Sequence, residues 1–327
     1  MKINKNIKII LIAIFCVAVL LLPAFDNNTY HHVVMSQALV NIVIVMGLNF
    51  ITGLTGQMNL GTAGIMALGA YTAALTSTRL GWSSWAGFAF AIVMGCLIGI
   101  GLGYPSLRLK GVYLSLTTIG FSEITRLVLT NWVTLTGGTM GIRDIPCINL
   151  FGYALDTTRK VFYLYFFIVL VLAFTANRIV KSKFGRVFKA IRDNVDAVES
   201  CGINISSLKI QAFTLCTIFG CLGGAMYTNL IGYINPTAFT QDLSANYLVM
   251  MMFGGIGSVA GNIIGAAVIT ILPEFLRFMS TYYWLVFSVI TLLFAIFLPN
   301  GVVSLFTGNK PLGMFWTTRK EKVRRHR

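Results

Sequence analysis

The chain has 327 residues, of which 56% are hydrophobic and 11% charged, with a mean hydropathy of +0.79. An ordinary globular domain is roughly 25% charged, so this chain lacks the ionisable surface that keeps a protein dissolved. The composition excludes disordered, collagenous, disulfide-stapled and cytosolic-enzyme classes and predicts a bilayer protein. The net charge of +15 sits in short runs between apolar stretches: Lys2, Lys5 and Lys8; Arg108 and Lys110; Arg178, Lys181, Lys183, Arg186, Lys189 and Arg192; and Arg319 to Arg327. Such runs mark cytoplasmic loops rather than the phosphate contacts of a nucleic-acid binder.

A spanning helix takes about 20 mostly apolar residues. The first apolar run, 9 to 25, follows three lysines; it is read as an uncleaved first helix because no small-x-small cleavage site precedes Pro23. Further spans are expected at 33 to 51, 60 to 78, 85 to 104, 112 to 130, 161 to 179, 210 to 230, 243 to 259, 263 to 280 and 283 to 299. The expected fold is therefore all-α: a polytopic integral membrane bundle of about ten helices with both termini cytoplasmic. This topology leaves only Arg79, Arg143, Arg159 and Lys160 outside and Arg126 and Arg277 within spans, with every other basic residue on the cytoplasmic side. The whole of 1–327 reads as one transmembrane domain, with a cytoplasmic loop at 180–209 and a basic cytoplasmic tail at 300–327. Of the six cysteines only Cys147 is placed outside, so no disulfide framework is expected.

The first glycine-rich stretch, GLTGQMNLGTAGIMALGAY from Gly53, places Thr55, Gln57 and Asn59 between two spans, where they are candidates for lining a path. Charged groups inside spans are costly and need a partner or a cavity. Glu123 and Arg126 lie three apart in the fifth span, and Glu274 and Arg277 repeat the arrangement in the ninth; each pair reads as a polar lining or as a self-contained ion pair. Residues 131 to 160 form an outer loop suited to a connector or to a partner contact.

The cytoplasmic loop at 180–209 has helical periodicity. Val187, Ala190, Ile191, Val195 and Val198 recur at spacings of three and four, so one apolar stripe is expected to bury against the chain's own spans, lipid or another protein. Opposite it, Lys189 with Asp193 and Arg192 with Asp196 can pair at i, i+4, and Gly202 supplies a left-handed stop. No lysine follows a glycine, so the phosphate-binding GxxxxGK[ST] loop is missing, and neither H-E-x-x-H nor G-x-S-x-G occurs. The chain is not expected to be an enzyme or to bind a metal.

The segment FGRVFKAIRDNVDAVESCGINISSLKIQAFT, 184 to 214, resembles the cytoplasmic coupling loop of the branched-chain amino acid ABC-importer permease family. GLTGQMNLGTAGIMALGAY, GVYLSLTTIGF from Gly111, TGGTMGI from Thr136 and FGGIGSVAGNIIGA with LPE, Phe253 to Glu274, also resemble that family's motifs. The resemblance covers about 40 to 300 and implies a type II-like ABC importer permease, similar to the M-type membrane subunit, in a bacterial cytoplasmic membrane. It implies a heterodimer with a second homologous permease, two ATP-binding cassette subunits that use the ATP, and an extracytoplasmic solute-binding protein; this chain itself would hold no cofactor. The residues it points to for ATPase docking are Gly185, Arg186, Ala190, Arg192, Glu199 and Gly202. Glu199-Ser200-Cys201-Gly202 stands where the family more often has an Ala-rich run. The implied cargo is leucine, isoleucine or valine, with urea or a short amide as an alternative; an ion-coupled transporter using Glu123 or Glu274 is the competing class.

Overall fold

The computed structural model describes residues 28–106, 109, 111–150, 153, 154 and 157–276, with a few isolated later positions. The expected first span, most of the expected tenth, Arg277 and the basic tail except Gly301 lie outside the described residues. Helix α1 (Thr29–Leu48) runs into a π-helical turn (Asn49–Leu54) and is followed by α2 (Thr62–Thr78), α3 (Ser84–Ser106) and α4 (Val112–Asn131). After the short α5 (Val133–Thr136) come α6 (Thr158–Lys181), α7 (Lys183–Asp193), α8 (Val195–Ser200), α9 (Ile205–Ile231), α10 (Gln241–Gly254) and α11 (Val259–Phe275). Extended pairing among the described residues is confined to Asn149–Leu150 with Tyr153–Ala154 and a bridge between Ile142 and Ile234.

Among the described residues five helical segments are long and apolar enough to cross a membrane: Thr29–Leu54, Ser84–Pro105, Val112–Asn131, Thr158–Lys181 and Ile205–Ile231. The other three expected spans that fall on described residues meet shorter helices, of 17, 14 and 17 residues. The cause is local. The polar residues before Thr62 delay α2, and α10 stops at Gly254 because Gly255 takes φ +121, although the apolar pattern itself continues to Val259. At the other extreme, α1 starts earlier than its apolar run because Asn28 Oδ1 accepts from the Tyr30 amide at 3.1 Å.

Helix α9 is the hub, packed along α3, α2 and α1. Small residues make this possible, since helix association in lipid depends on close backbone approach. A Cβ on Gly69 of α2 would overlap the backbone of Cys221, and one on Gly95 of α3 would lie 2.7 Å from Ile218 Cα. At that range side-chain hydroxyls bridge helices: Thr217 Oγ1 donates to Gly95 O at 2.7 Å and Thr228 Oγ1 to Ala70 O at 3.1 Å. Helix α6 lies at the periphery against α1, tied to α9 by Tyr165 Oη donating to Met226 O at 2.6 Å, and leaves Phe167 and Phe174 exposed.

The connections cluster by end. At one end Arg79 donates to Thr134 O, Trp85 Nε1 donates to Asn149 O at 2.9 Å, and Tyr233 Oη donates to Met140 O at 3.2 Å. Segments 52–61, 192 and 257 meet elsewhere, as described below. If the α2–α9 seam holds the bundle together, Gly69→Ala is expected to cost about 1–3 kcal/mol through overpacking. Gly101→Ala, where no atom lies within 4 Å, is expected to cost nothing. Thermal unfolding of the two purified variants in detergent checks the contrast.

Candidate functional site

Two features meet at one end of the bundle: a polar turn between α1 and α2, and the helical loop α7–α8. The turn begins where α1 widens into its π-helical segment, a deviation frequent at functional sites. Asn49 Oδ1 accepts from the Gly257 amide at 2.8 Å, and Gln57 N reaches back to Ile51 O at 3.3 Å. The loop from 56 to 61 then has few backbone partners of its own and draws on side chains from several elements. Thr118 Oγ1 of α4 accepts from Leu60 N at 3.1 Å, and Ser115 Oγ donates to Met58 O at 3.2 Å. From α10, Ser244 Oγ accepts from Ala63 N at 2.9 Å and Gln241 Nε2 donates to Leu60 O at 3.3 Å.

The path residues expected from the sequence separate into two groups. Thr55 and Asn59 are buried and serve the turn itself: Thr55 Oγ1 donates to Ile51 O at 2.7 Å, and Asn59 Oδ1 accepts from Gly61 N at 2.8 Å. Gln57 is half-buried, and its Oε1 has no hydrogen-bond partner among the described residues. Glu123 and Arg126 lie instead on the exposed side of α4, where Arg126 Nε donates to both carboxylate oxygens at 3.1 and 3.0 Å. Their side chains are 47% and 29% exposed among the exposed apolar residues Leu116, Ile124, Leu127 and Val128.

Sequence reading missed Asn49, Ser115, Thr118, Gln241 and Ser244. One signal was available: Ser115, Thr118, Ser122 and Thr125 recur at spacings of three and four and form the buried face of α4. A second polar group, 229 residues apart in sequence, joins Asn41 Nδ2 to Thr270 Oγ1 at 2.9 Å beside a cleft of about 410 Å³. Tyr30, Gln37, Tyr247 and Glu274 line that cleft, and Tyr30 Oη donates to Glu274 Oε2 at 2.6 Å.

The loop is two helices rather than the single one expected. Ser182 links α6 to α7, its Oγ donating to Ile179 O at 2.7 Å and accepting from Gly185 N at 3.4 Å. Gly185 is buried, and a Cβ there would overlap the carbonyl oxygens of Ile179 and Val180. Asn194 takes an extended conformation, φ −158 and ψ 107, and its Oδ1 caps α8 through Ala197 N at 3.2 Å. Helix α8 ends before Gly202, which adopts φ +73.

The apolar stripe is also divided. Phe188, Ile191 and Val198 are buried and Val187 half-buried, while Ala190 and Val195 face outward. The chain's own α6, α9 and π-helical turn cover α7, so much of the stripe already has its partner. Phe184, Arg186, Ala190, Val195, Glu199, Gly202 and Ile203 form the outer surface. Arg192 does not belong to that surface. Its side chain is 6% exposed, Nε bonds the adjacent Asp193 Oδ1 at 3.3 Å instead of Asp196, and Nη1 donates to Gly53 O at 3.0 Å. Loop and turn are therefore in direct contact.

Comparison with known proteins decides what this assembly belongs to. A family model described as the permease component of the branched-chain amino acid transport system matches residues 32–296, which include every element of the loop and turn. The chain belongs to this permease family. It is 30% identical over 295 residues to the high-affinity branched-chain amino acid transport system permease protein LivM of Salmonella typhimurium, covering 83% of this chain and 69% of that protein. The Escherichia coli protein of the same name is 31% identical over the same shares. The permease is also 24% identical, over 81% of its length and 76% of the relative, to the autoinducer 2 import system permease protein LsrC of Yersinia pestis. No solved structure matches.

Because Asn194 both ends α7 and caps α8, Asn194→Ala is expected to cost about 1 kcal/mol of loop stability. Trypsin should then cut between Lys189 and Lys209 several-fold faster in membranes of the variant, with Asn194→Asp close to the parent.

Proposed function

We propose that this permease is a membrane subunit of an ATP-driven importer in a bacterial cytoplasmic membrane, and that leucine, isoleucine and valine are its cargo. The observation that carries the proposal is the α7–α8 loop, built onto the ends of α6 and α9 and presenting a mixed outer face of Phe184, Arg186, Ala190, Val195, Glu199 and Ile203. A fully buried apolar side chain is worth about 1.5–3 kcal/mol, so a groove on an ATPase subunit covering these groups gains both apolar burial and charge pairing. Gly185 and Gly202 shape the two ends of that surface.

The alternation expected for the eight spans from 33 to 280 is supported by how the structure groups most of their connections, and the count of ten with both ends inside rests on the sequence pattern. Segments assigned outward from the sequence, around 79, 134 to 149 and 233, meet one another, and those assigned inward, 53 to 58, 192 and 257, meet as well, while Gln241, assigned to the outer end of its span, reaches Leu60 at the inward-assigned start of the third. In the wider assembly a second permease subunit, two ATP-binding subunits and an external binding protein complete the importer. Glu123 and Arg126 favour a place beside that second subunit. A charged pair facing hydrocarbon is costly, and a water-lined path between two permeases relieves the cost.

Leucine is preferred as cargo because two relatives at 30 and 31% identity carry branched-chain names, whereas the relative named for autoinducer 2 stands at 24%. An ion-coupled mechanism is disfavoured because Glu123 is held by Arg126 on both oxygens.

The test is uptake in proteoliposomes containing the permease, its partner subunits and the binding protein. ATP should drive labelled leucine inward, and a proton gradient alone should not; the opposite pattern overturns the proposal. The double reversal Arg186→Glu, Glu199→Arg is expected to reduce ATPase co-purification at least tenfold.

A further inference from the structure

Arg192 sits on α7 with its guanidinium turned into the protein: its side chain is 6% exposed, while that of neighbouring Asp193 is 64% exposed. A buried cation is costly unless its hydrogen-bonding groups find partners. Here Nη1 donates to Gly53 O at 3.0 Å and Nε to Asp193 at 3.3 Å. The accepting carbonyl belongs to the π-helical turn, at the place where the regular helical ladder of α1 has ended.

Two further glycines make the seat. Gly56 has φ +73, and a Cβ on it would lie 2.8 Å from Arg192 Cγ; a Cβ on Gly257 would lie 3.7 Å from Arg192 Nη1. Gly257 is itself tied to the turn through Asn49 Oδ1 at 2.8 Å. One side chain on the loop thus bonds the turn after α1 and lies close to the turn before α11, which the Asn49–Gly257 bond ties to the first.

We infer that Arg192 is a positioning residue, a strut that carries displacement of α7 to the π-helical turn and the Gly255–Gly257 turn, and that it makes no contact with an ATPase. Arginine suits the task because its planar fork holds a carbonyl and a carboxylate in fixed directions. The inference rests on the ATP-driven reading above. It separates two functions within one loop: the outer face binds the ATPase, and the inner face transmits its motion.

The experiment compares the complete importer with Arg192→Met and Arg192→Lys variants in proteoliposomes, measuring ATPase co-purification, ATP hydrolysis and leucine imported per ATP. Co-purification and hydrolysis should stay within twofold of the parent, while leucine per ATP falls at least tenfold in Arg192→Met and less in Arg192→Lys. Loss of the ATPases from Arg192→Met would make Arg192 a docking residue, and an unchanged leucine-to-ATP ratio would remove its role in transmission; either overturns the inference. Failure of the unmutated permease to retain any ATPase would instead defeat the importer reading.

Should Arg192→Met not reach the membrane, hydrogen exchange on the unmutated complex decides. A non-hydrolysable ATP analogue should change exchange at 183–193 together with 51–57 and 255–258. A change confined to 183–193 contradicts the strut.

Discussion

A helix interrupted inside a membrane protein has to find partners for its freed backbone groups within the protein, because hydrocarbon offers none. The interruption after α1 imposes that requirement here, and side chains meet it: Thr118 and Ser115 from α4, Ser244 and Gln241 from α10, and Arg192 from the loop, while Asn49 within the turn serves the Gly257 amide. These partners come from elements far apart in the chain. The turn is consequently a junction where α1, α4, α10, α11 and the loop constrain one another, and a shift of any one changes the hydrogen bonding of the rest.

Around that junction the bundle is stiff. The glycine and threonine contacts along α9 bring its backbone against α2 and α3 at distances that leave no room for a Cβ, so these helices move as a body or not at all. The loop is attached to the same body at both ends, through Ser182 and Gly185 at α6 and through Asn204, whose Oδ1 accepts from Ser207 N at 3.1 Å at the start of α9. A force applied to its outer face has two routes inward, the α6 and α9 ends and the Arg192 contact. The side of α4 with its apolar residues and its Glu123–Arg126 pair lies outside this body and stays exposed.

Much of this was legible in the sequence. The apolar runs located the helices, and the spacing of Val187, Ile191 and Val198 revealed a helical loop because burying one face of a helix demands that period. Hydropathy could not show where a helix ends inside an apolar run, since Gly255 differs from its neighbours in φ and hardly in polarity. Nor could it find Asn194, which breaks the loop by capping α8 from an extended conformation. Arg192 illustrates the deepest limit. In sequence it is one more base in a basic run, and only the fold brings Gly53, 139 residues away, beneath it.

Two native cysteines allow a direct check that the loop faces the source of ATP. Cys147 and Cys201 are both exposed, one in the segment assigned outside and the other at the end of α8. In variants keeping only one of them, a membrane-impermeant maleimide added to intact cells should label Cys147 and spare Cys201, and in inverted vesicles the order should reverse. Labelling of Cys201 from outside intact cells would place the loop on the wrong face of the membrane and contradict the coupling of an ATPase to the polar turn.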